Sequence, residues 1–353
     1  MNETTRNNPL NSDEKGFSIL ELIIAMVIFL IVTGSVFGLL QVGRQTRTIV
    51  SENTGLNKNV RLSLNLIGRD TYNAGVGYPL RNTVILPDNR IGVLLGVPVD
   101  ADTTRDTVAP IIAGNNVTVN TYNQTPNTRT DQITFLFKDN TFNVVGSLGG
   151  SSQPLSINAA TTTGGGIDEI VPLSGTNSAC RINDIYLITG NTGSTLGVST
   201  NLSGGNKVQF ANGDPLGFNQ TGTSGPLRAI TVPASIQRVN MVTYFVTPDG
   251  TLTRRHYANR TPVVGFVDEP LIYGVEDFQI VYVMDDGTTS NNPSAGPDGV
   301  AGTADDTPTN LAAVRQVRYT ISVRSTEKNG ANQFYSATQT TTFSTRNLGY
   351  DAN

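Results

Sequence analysis

KGFSILELIIAMVIFLIVTGSVFGLL, residues 15 to 40, is the stretch on which the reading of this chain turns. From Phe17 to Leu40 it runs 24 residues with one ionisable side chain, Glu21. At about 1.5 Å per residue such a run crosses the ~30 Å apolar core of a bilayer, so it predicts a transmembrane helix. A cleaved secretory signal has an apolar core of roughly 7 to 15 residues ending at a small-residue site, and nothing of that kind closes this run. A plain signal anchor leaves Glu21 unexplained, because a carboxylate costs about 2.5 to 3.5 kcal/mol at the centre of a membrane helix and seldom persists without a partner. Cutting the chain between Gly16 and Phe17 supplies one: a new α-amino group at the membrane boundary, one helical turn from Glu21 and close to the carboxylates of neighbouring copies.

Lys15, Gly16, Phe17, Ser18, Ile19, Leu20, Glu21 and Leu22 together resemble the class III signal of type IV pilins and pseudopilins. The resemblance implies that a prepilin peptidase cleaves after Gly16 and methylates Phe17, and that Glu21 helps register the subunit in a filament. It also implies leader inside and head outside, an orientation the charges leave open: Arg6 and Lys15 precede the apolar run, Arg44 and Arg47 follow it.

Beyond the membrane, Val42, Thr46, Ile49, Asn53, Leu56, Val60, Leu64 and Ile67 recur at steps of three and four, which continues the helix as an amphipathic one. Ala74-Gly-Val-Gly-Tyr-Pro79 stops it. Gly34, Gly38 and Gly43 lower helix propensity by about 1 kcal/mol each and permit a local bend. The remainder is rich in Thr, Asn, Gly and Ser, has no Trp, and carries strand-forming residues in short bursts. Candidate strands are 84–86, 92–97, 132–137, 184–188, 208–210, 238–246, 251–255, 278–284, 314–324 and 334–344. Val317, Tyr319, Ile321 and Val323 alternate with polar residues, the period of a strand with one buried face. Residues 100–166 and 190–225 read as elaborated loops or small β excursions.

The expected fold class is α+β, a long N-terminal helical spine packed on a large antiparallel β-sheet head. Its parts are a leader at 1–16, a membrane-spanning helix at 17–40, an amphipathic continuation at 41–75 and a β-rich head at 76–353. Segments of the C-terminal half are similar to PilW-type minor pilins: the hairpin Asn240–Arg254 ending in Leu252-Thr-Arg254, the strand Gly274–Tyr282, and the last two strands around Val314–Ser325 and Phe343–Leu348. Leu66-Ile-Gly-Arg-Asp-Thr-Tyr-Asn-Ala-Gly75 is similar to that family's helix exit.

No nucleophile elbow, P-loop or Cys/His metal spacing is present, and His256, the single histidine, sits in a polar basic stretch. The chain reads as a non-enzyme. Cys180 is the single cysteine and reads as a buried small hydrophobe. Without its leader the chain carries 22 basic and 25 acidic residues, net -3, which gives no strong nucleic-acid signal. Between Thr261 and Val314 there is no Lys or Arg but nine carboxylates. Within that window Asp285, Asp286, Asp298, Asp305 and Asp306 stand on a Gly-rich loop between two strands, hard oxygen donors suited to a Ca²⁺ ion, with a solvated turn as the alternative. No cofactor is otherwise expected.

Three functions follow as expectations. The first is a PilW-like minor pilin acting in assembly, priming or at the tip of a type IV pilus. Its partners are the prepilin peptidase, other minor and major pilins, the inner-membrane assembly platform and membrane lipid; its head is periplasmic before assembly and on the pilus or cell surface after it. The second is a type II secretion pseudopilin of the J type. The third is a signal-anchored surface adhesin or binding protein.

Overall fold

The computed structural model describes residues 16–79, 84–96, 103, 105–125, 128–140, 159–160, 169–170, 180–203, 207–220, 225–231, 234–257, 265–293, 313–328 and 332–348. The α+β expectation holds: one long helix, α1 (Ile19–Asn73), precedes a large, mostly antiparallel β head. Three sheets follow from seventeen strands among the described residues: β1 (Val84–Ile85), β2 (Thr107–Val108), β3 (Ile111–Val119), β4 (Arg129–Lys138), β5 (Ala159–Ala160), β6 (Glu169–Ile170), β7 (Ile185–Gly190), β8 (Gly193–Val198), β9 (Asn201–Ser203), β10 (Lys207–Gln209), β11 (Ser235–Val246), β12 (Leu252–Tyr257), β13 (Phe266–Ile272), β14 (Val275–Met284), β15 (Thr289–Ser290), β16 (Val314–Lys328) and β17 (Phe334–Ser344).

The largest sheet has nine strands, and β11 is its branch point: Val239 pairs with Lys138 of β4 and with Ile185 of β7, while Met241–Val246 pair with β12. A second sheet runs β15-β14-β16-β17, and a small one joins β5, β6, β10 and β9. One pair departs from the antiparallel expectation, since β1 runs parallel to β8.

Both faces of the nine-stranded sheet are buried. Ile133, Phe135, Val242 and Tyr244 point into a core shared with Val60, Leu64 and Ile67 of α1 and with Phe278, Tyr319 and Ile321 of the β14–β17 sheet. Leu136, Val239 and Met241 fill a second core with Ile185, Leu187 and Leu196 on the other face. This two-sided burial accounts for the apolar residues that crowd the second half of β11, Met241–Val246, where only Thr243 is polar. Cys180 is buried in a third cluster with Tyr186, Ile188 and Phe210, as its sequence context suggested.

Helix α1 passes unbroken through Gly34, Gly38 and Gly43, so none of them melts or ends the helix. Only its end packs on the head: Val60, Ser63, Leu64, Ile67, Gly68, Asp70 and Thr71 are buried, whereas Val42 and Thr46 of the expected stripe stay exposed. Gly68 is required by contact, because a Cβ there would stand 2.3 Å from Cε1 of Phe343 on β17.

One expected strand is a helix. Residues 92–95 lie in α2 (Arg90–Leu95), not in a strand, Gly96 ends that helix, and Val97 lies outside the described residues. The Asp106 carboxylate accepts the N–H groups of Asn89 and Ile91 at its start, and Gly96 at φ 69 closes its end. A short apolar run such as Ile91-Gly-Val-Leu-Leu95 has no period that separates the two states. Strand β3 was hidden for a different reason: Asn116, at φ 54, sits where the β3–β4 register shifts and breaks the alternation.

Candidate functional site

The N-terminal site is built by a cap. Ser18 has extended backbone (φ -69, ψ 140) and its Oγ accepts the Leu20 N–H at 3.3 Å, while Glu21 Oε2 accepts the Ser18 N–H at 3.1 Å. This reciprocal pair satisfies two of the donors that every helix start leaves open. Glu21 therefore has a neutral partner inside its own chain, and its second oxygen accepts nothing among the described residues. Immediately before the cap, Phe17 is 85% exposed, and a Cβ on Gly16 would meet nothing within 4 Å. The fold itself makes no demand for glycine at position 16.

From this start α1 extends through Glu52 without a buried residue, a length of about 50 Å at the helical rise. Phe17, Ile19, Leu20, Phe29, Phe37 and Leu39 are among its exposed large apolar side chains. The apolar part of this bare stretch, up to Leu40, is about 33 Å of helix that is stable in lipid or against other helices, not in water.

The other end of the rod is locked into the head by a polar joint. Asp70, 1% exposed, accepts Tyr244 Oη at 2.6 Å and both Nε and Nη2 of Arg254 at 3.2 Å. Arg254 Nη1 also reaches Glu269 at 3.0 Å. Burial, and then the neighbouring Asp70 carboxylate, push the Tyr244 phenol far above its ordinary pKa, so it stays a donor. One residue on, Thr71 Oγ1 bonds Ile67 O and lies 2.8 Å from Tyr319 Oη. The last turn of α1 is thus held to the nine-stranded sheet through Asp70 and to the β14–β17 sheet through Thr71.

Residues 11–37 match the prokaryotic N-terminal methylation motif. The chain carries a prepilin-type N-terminus. That match supports a place among type IV pilin-like proteins and pseudopilins, and it implies processing by a prepilin peptidase and assembly with pilus-type partners. With the apolar helix it points to a membrane-anchored chain bearing a head. No curated protein and no solved structure matched the chain.

Of the expected site residues in this prepilin-like chain, Gly16, Phe17 and Glu21 stand together at the start of α1, and Lys15 lies outside the described residues. Asp285 and Asp286 follow β14: Asp285 lies 3.6 Å from Arg315, and Asp286 accepts the N–H and Oγ1 of Thr288. Asp298, Asp305 and Asp306 lie outside the described residues. Among the described residues no group of three or more His, Cys, Asp or Glu side chains is placed to hold a metal. The Asp70–Tyr244–Arg254 joint was not foreseen as a unit. Its trace in the sequence is a carboxylate three residues after Ile67, on the apolar stripe of an amphipathic helix.

Proposed function

We propose that this chain is a minor pilin, PilW-like in plan, that enters the inner membrane with its head in the periplasm, is cut after Gly16, and joins the tip or priming complex of a type IV pilus-like filament. The observation that carries the reading is the bare stretch of α1, which starts on a capped turn directly after Gly16 and finds no cover in its own chain. In this mechanism apolar helices pack laterally, the free oxygen of Glu21 pairs with the Phe17 amine of a neighbour, and the joint at Asp70 keeps the head fixed relative to its helix. The chain acts by templating and carries out no catalysis; burial raises the Cys180 thiol pKa, which disfavours a reactive thiolate.

The test is proteolytic. Gly16→Val puts a branched side chain at the scissile position without touching the fold, since the space around Gly16 is open. Intact mass should show a methylated chain beginning at Phe17 for the wild type and an unprocessed chain for the variant. Retention of residues 1–16 on the wild-type protein, in cells that process other prepilins, would instead favour a signal-anchored adhesin. A type II secretion pseudopilin of the J type shares this chemistry, and co-purification with that apparatus would identify it. Calcium binding by the loop between β14 and β16 is a further proposal, resting on Asp285 and Asp286 together with Asp298, Asp305 and Asp306.

A further inference from the structure

The two edges of the β14–β17 sheet are built differently. On the β14 side the outward backbone is already engaged at several points: β15 pairs with Tyr282 and Val283, the Ile280 N–H donates to Asp131 Oδ2 at 2.6 Å, and the Val275 N–H donates to Gly250 O. On the same edge Asn120 Nδ2 donates to the carbonyls of Val275 and Glu276 at 2.8 and 2.9 Å. The β17 side has none of this. From Ser336 to Ser344 its register with β16 is uninterrupted, and its backbone bonds only to β16 among the described residues. Phe-Tyr-Ser-Ala-Thr-Gln-Thr-Thr-Thr-Phe-Ser344 contains no charge and no proline, the residues that ordinarily guard an edge.

We propose that this open edge receives a β-strand from the head of a different prepilin-type subunit, extending the sheet across the subunit boundary; the proposal rests on the filament reading above. The position of the edge argues for a neighbour in a helix bundle. Gln339 Nε2 bonds Asn57 Oδ1 at 3.0 Å and Phe343 lies over Gly68, so β17 and α1 run side by side in the same direction. A neighbour whose helix packs parallel to α1 brings its head alongside this edge.

The occupant is not a second copy, for three geometric reasons. A copy in the same orientation presents its β14 edge, which Asp131, Asn120 and β15 block. Antiparallel pairing of β17 with β17 reverses one of the two helices, which two chains standing in one membrane cannot do. Parallel pairing of β17 with β17 sets the helices on opposite faces of the joined sheet, about 20 Å apart, whereas laterally packed helices need about 8 to 10 Å. What fits is a pilin-like head with an unblocked edge strand whose outward side chains are small and uncharged, to lie beside Ser336, Thr338, Thr340 and Thr342. One chain then caps another and pairing stops there, because among the described residues this sheet offers one open edge.

The experiment co-expresses the full-length protein with each other prepilin-type chain of the same cell in turn, and with a tagged second copy of itself. Complexes are purified in detergent and hydrogen exchange is read at single amides. Successive amides of β17 point alternately to β16 and outward. One partner should slow exchange of the outward set between Phe334 and Ser344 by about 100-fold while leaving the other set unchanged. Thr340→Pro and Thr341→Pro provide the internal control: one removes an amide bonded to β16 and lowers Tm, and the other keeps Tm and should lose the complex. Partners that bind without protecting the outward amides, protection by the second copy equal to that by any other chain, or no protection by any chain would each overturn the proposal. Intact mass of the same samples reports cleavage after Gly16, so failure of the filament reading is seen separately.

Discussion

Replacing Asp70 by alanine tests whether the helix–head joint stabilises the protein as its geometry implies. The substitution removes the acceptor of Tyr244 Oη and of two Arg254 donors from a site where the carboxylate is 1% exposed. Removing one partner of a buried ion pair costs about 3 to 5 kcal/mol, because the remaining charge is left without compensation. Arg254 keeps Glu269, itself about one-third exposed, so the lower end of that range is expected, about 3 kcal/mol. For a head of this size that lowers Tm by roughly 6 to 12 °C. Asp70→Asn keeps an acceptor for Tyr244 and loses the charge, for about 1.5 to 3 kcal/mol. The assay is thermal unfolding of the detergent-solubilised chain followed by near-ultraviolet dichroism of its 11 tyrosines, there being no tryptophan. A double-mutant cycle with Arg254→Met isolates the pair, and a coupling of at least about 1 kcal/mol is expected. A Tm change below about 1 °C for Asp70→Ala, or strict additivity in the cycle, would refute the argument, leaving apolar packing of Val60, Leu64 and Ile67 as what holds the helix to the head.

Glu21→Ala should leave membrane insertion and cleavage intact and reduce crosslinking to other pilins, whereas normal crosslinking would show that its free oxygen does not register the subunit. Asp131 is buried between β4 and β14, and desolvation raises its carboxyl pKa to about 6 despite the N–H groups of Asn116 and Ile280. Because the folded value lies above the unfolded one, the native state binds the extra proton between about pH 4 and 6. The resulting stabilisation, about 3 kcal/mol, is fully present below about pH 4 and lost as pH rises through 6. Relative to Asp131→Asn, the wild type should therefore gain stability between pH 7.5 and 4.5 in urea titrations, and a pH-independent difference would contradict the assignment. Millimolar calcium should raise Tm if the loop from Asp285 to Asp306 binds it, with magnesium less effective and Asp298→Ala with Asp305→Ala abolishing the shift; no shift in the wild type would leave the loop an acidic turn.

The spine was legible before any coordinate because its signals are local. An apolar run long enough to cross a bilayer and a Gly/Pro stop after Asn73 each act within a few residues of where they stand, and α1 begins and ends there, whereas the Ser18–Glu21 cap at its start emerged only from the folded structure. Strand β16 was legible for the same reason, its alternation recording burial on one face. Strand β13 was missed: it carries Pro270, which only an edge position tolerates, and edge position is a property of the sheet. The joint at Asp70 lies further from the reach of pattern reading. Its partners Tyr244 and Arg254 stand 174 and 184 residues away, and they meet Asp70 only because β11 and β12 form a hairpin beside the last turn of α1. Which edge of the second sheet stays open was decided in the same way, by Asn120 and Asp131 arriving from β3 and β4 to bond the backbone of β14. A sequence records how much of each residue is buried through its period; which side chain lies against which is set by strand order, and strand order is a property of the whole folded chain.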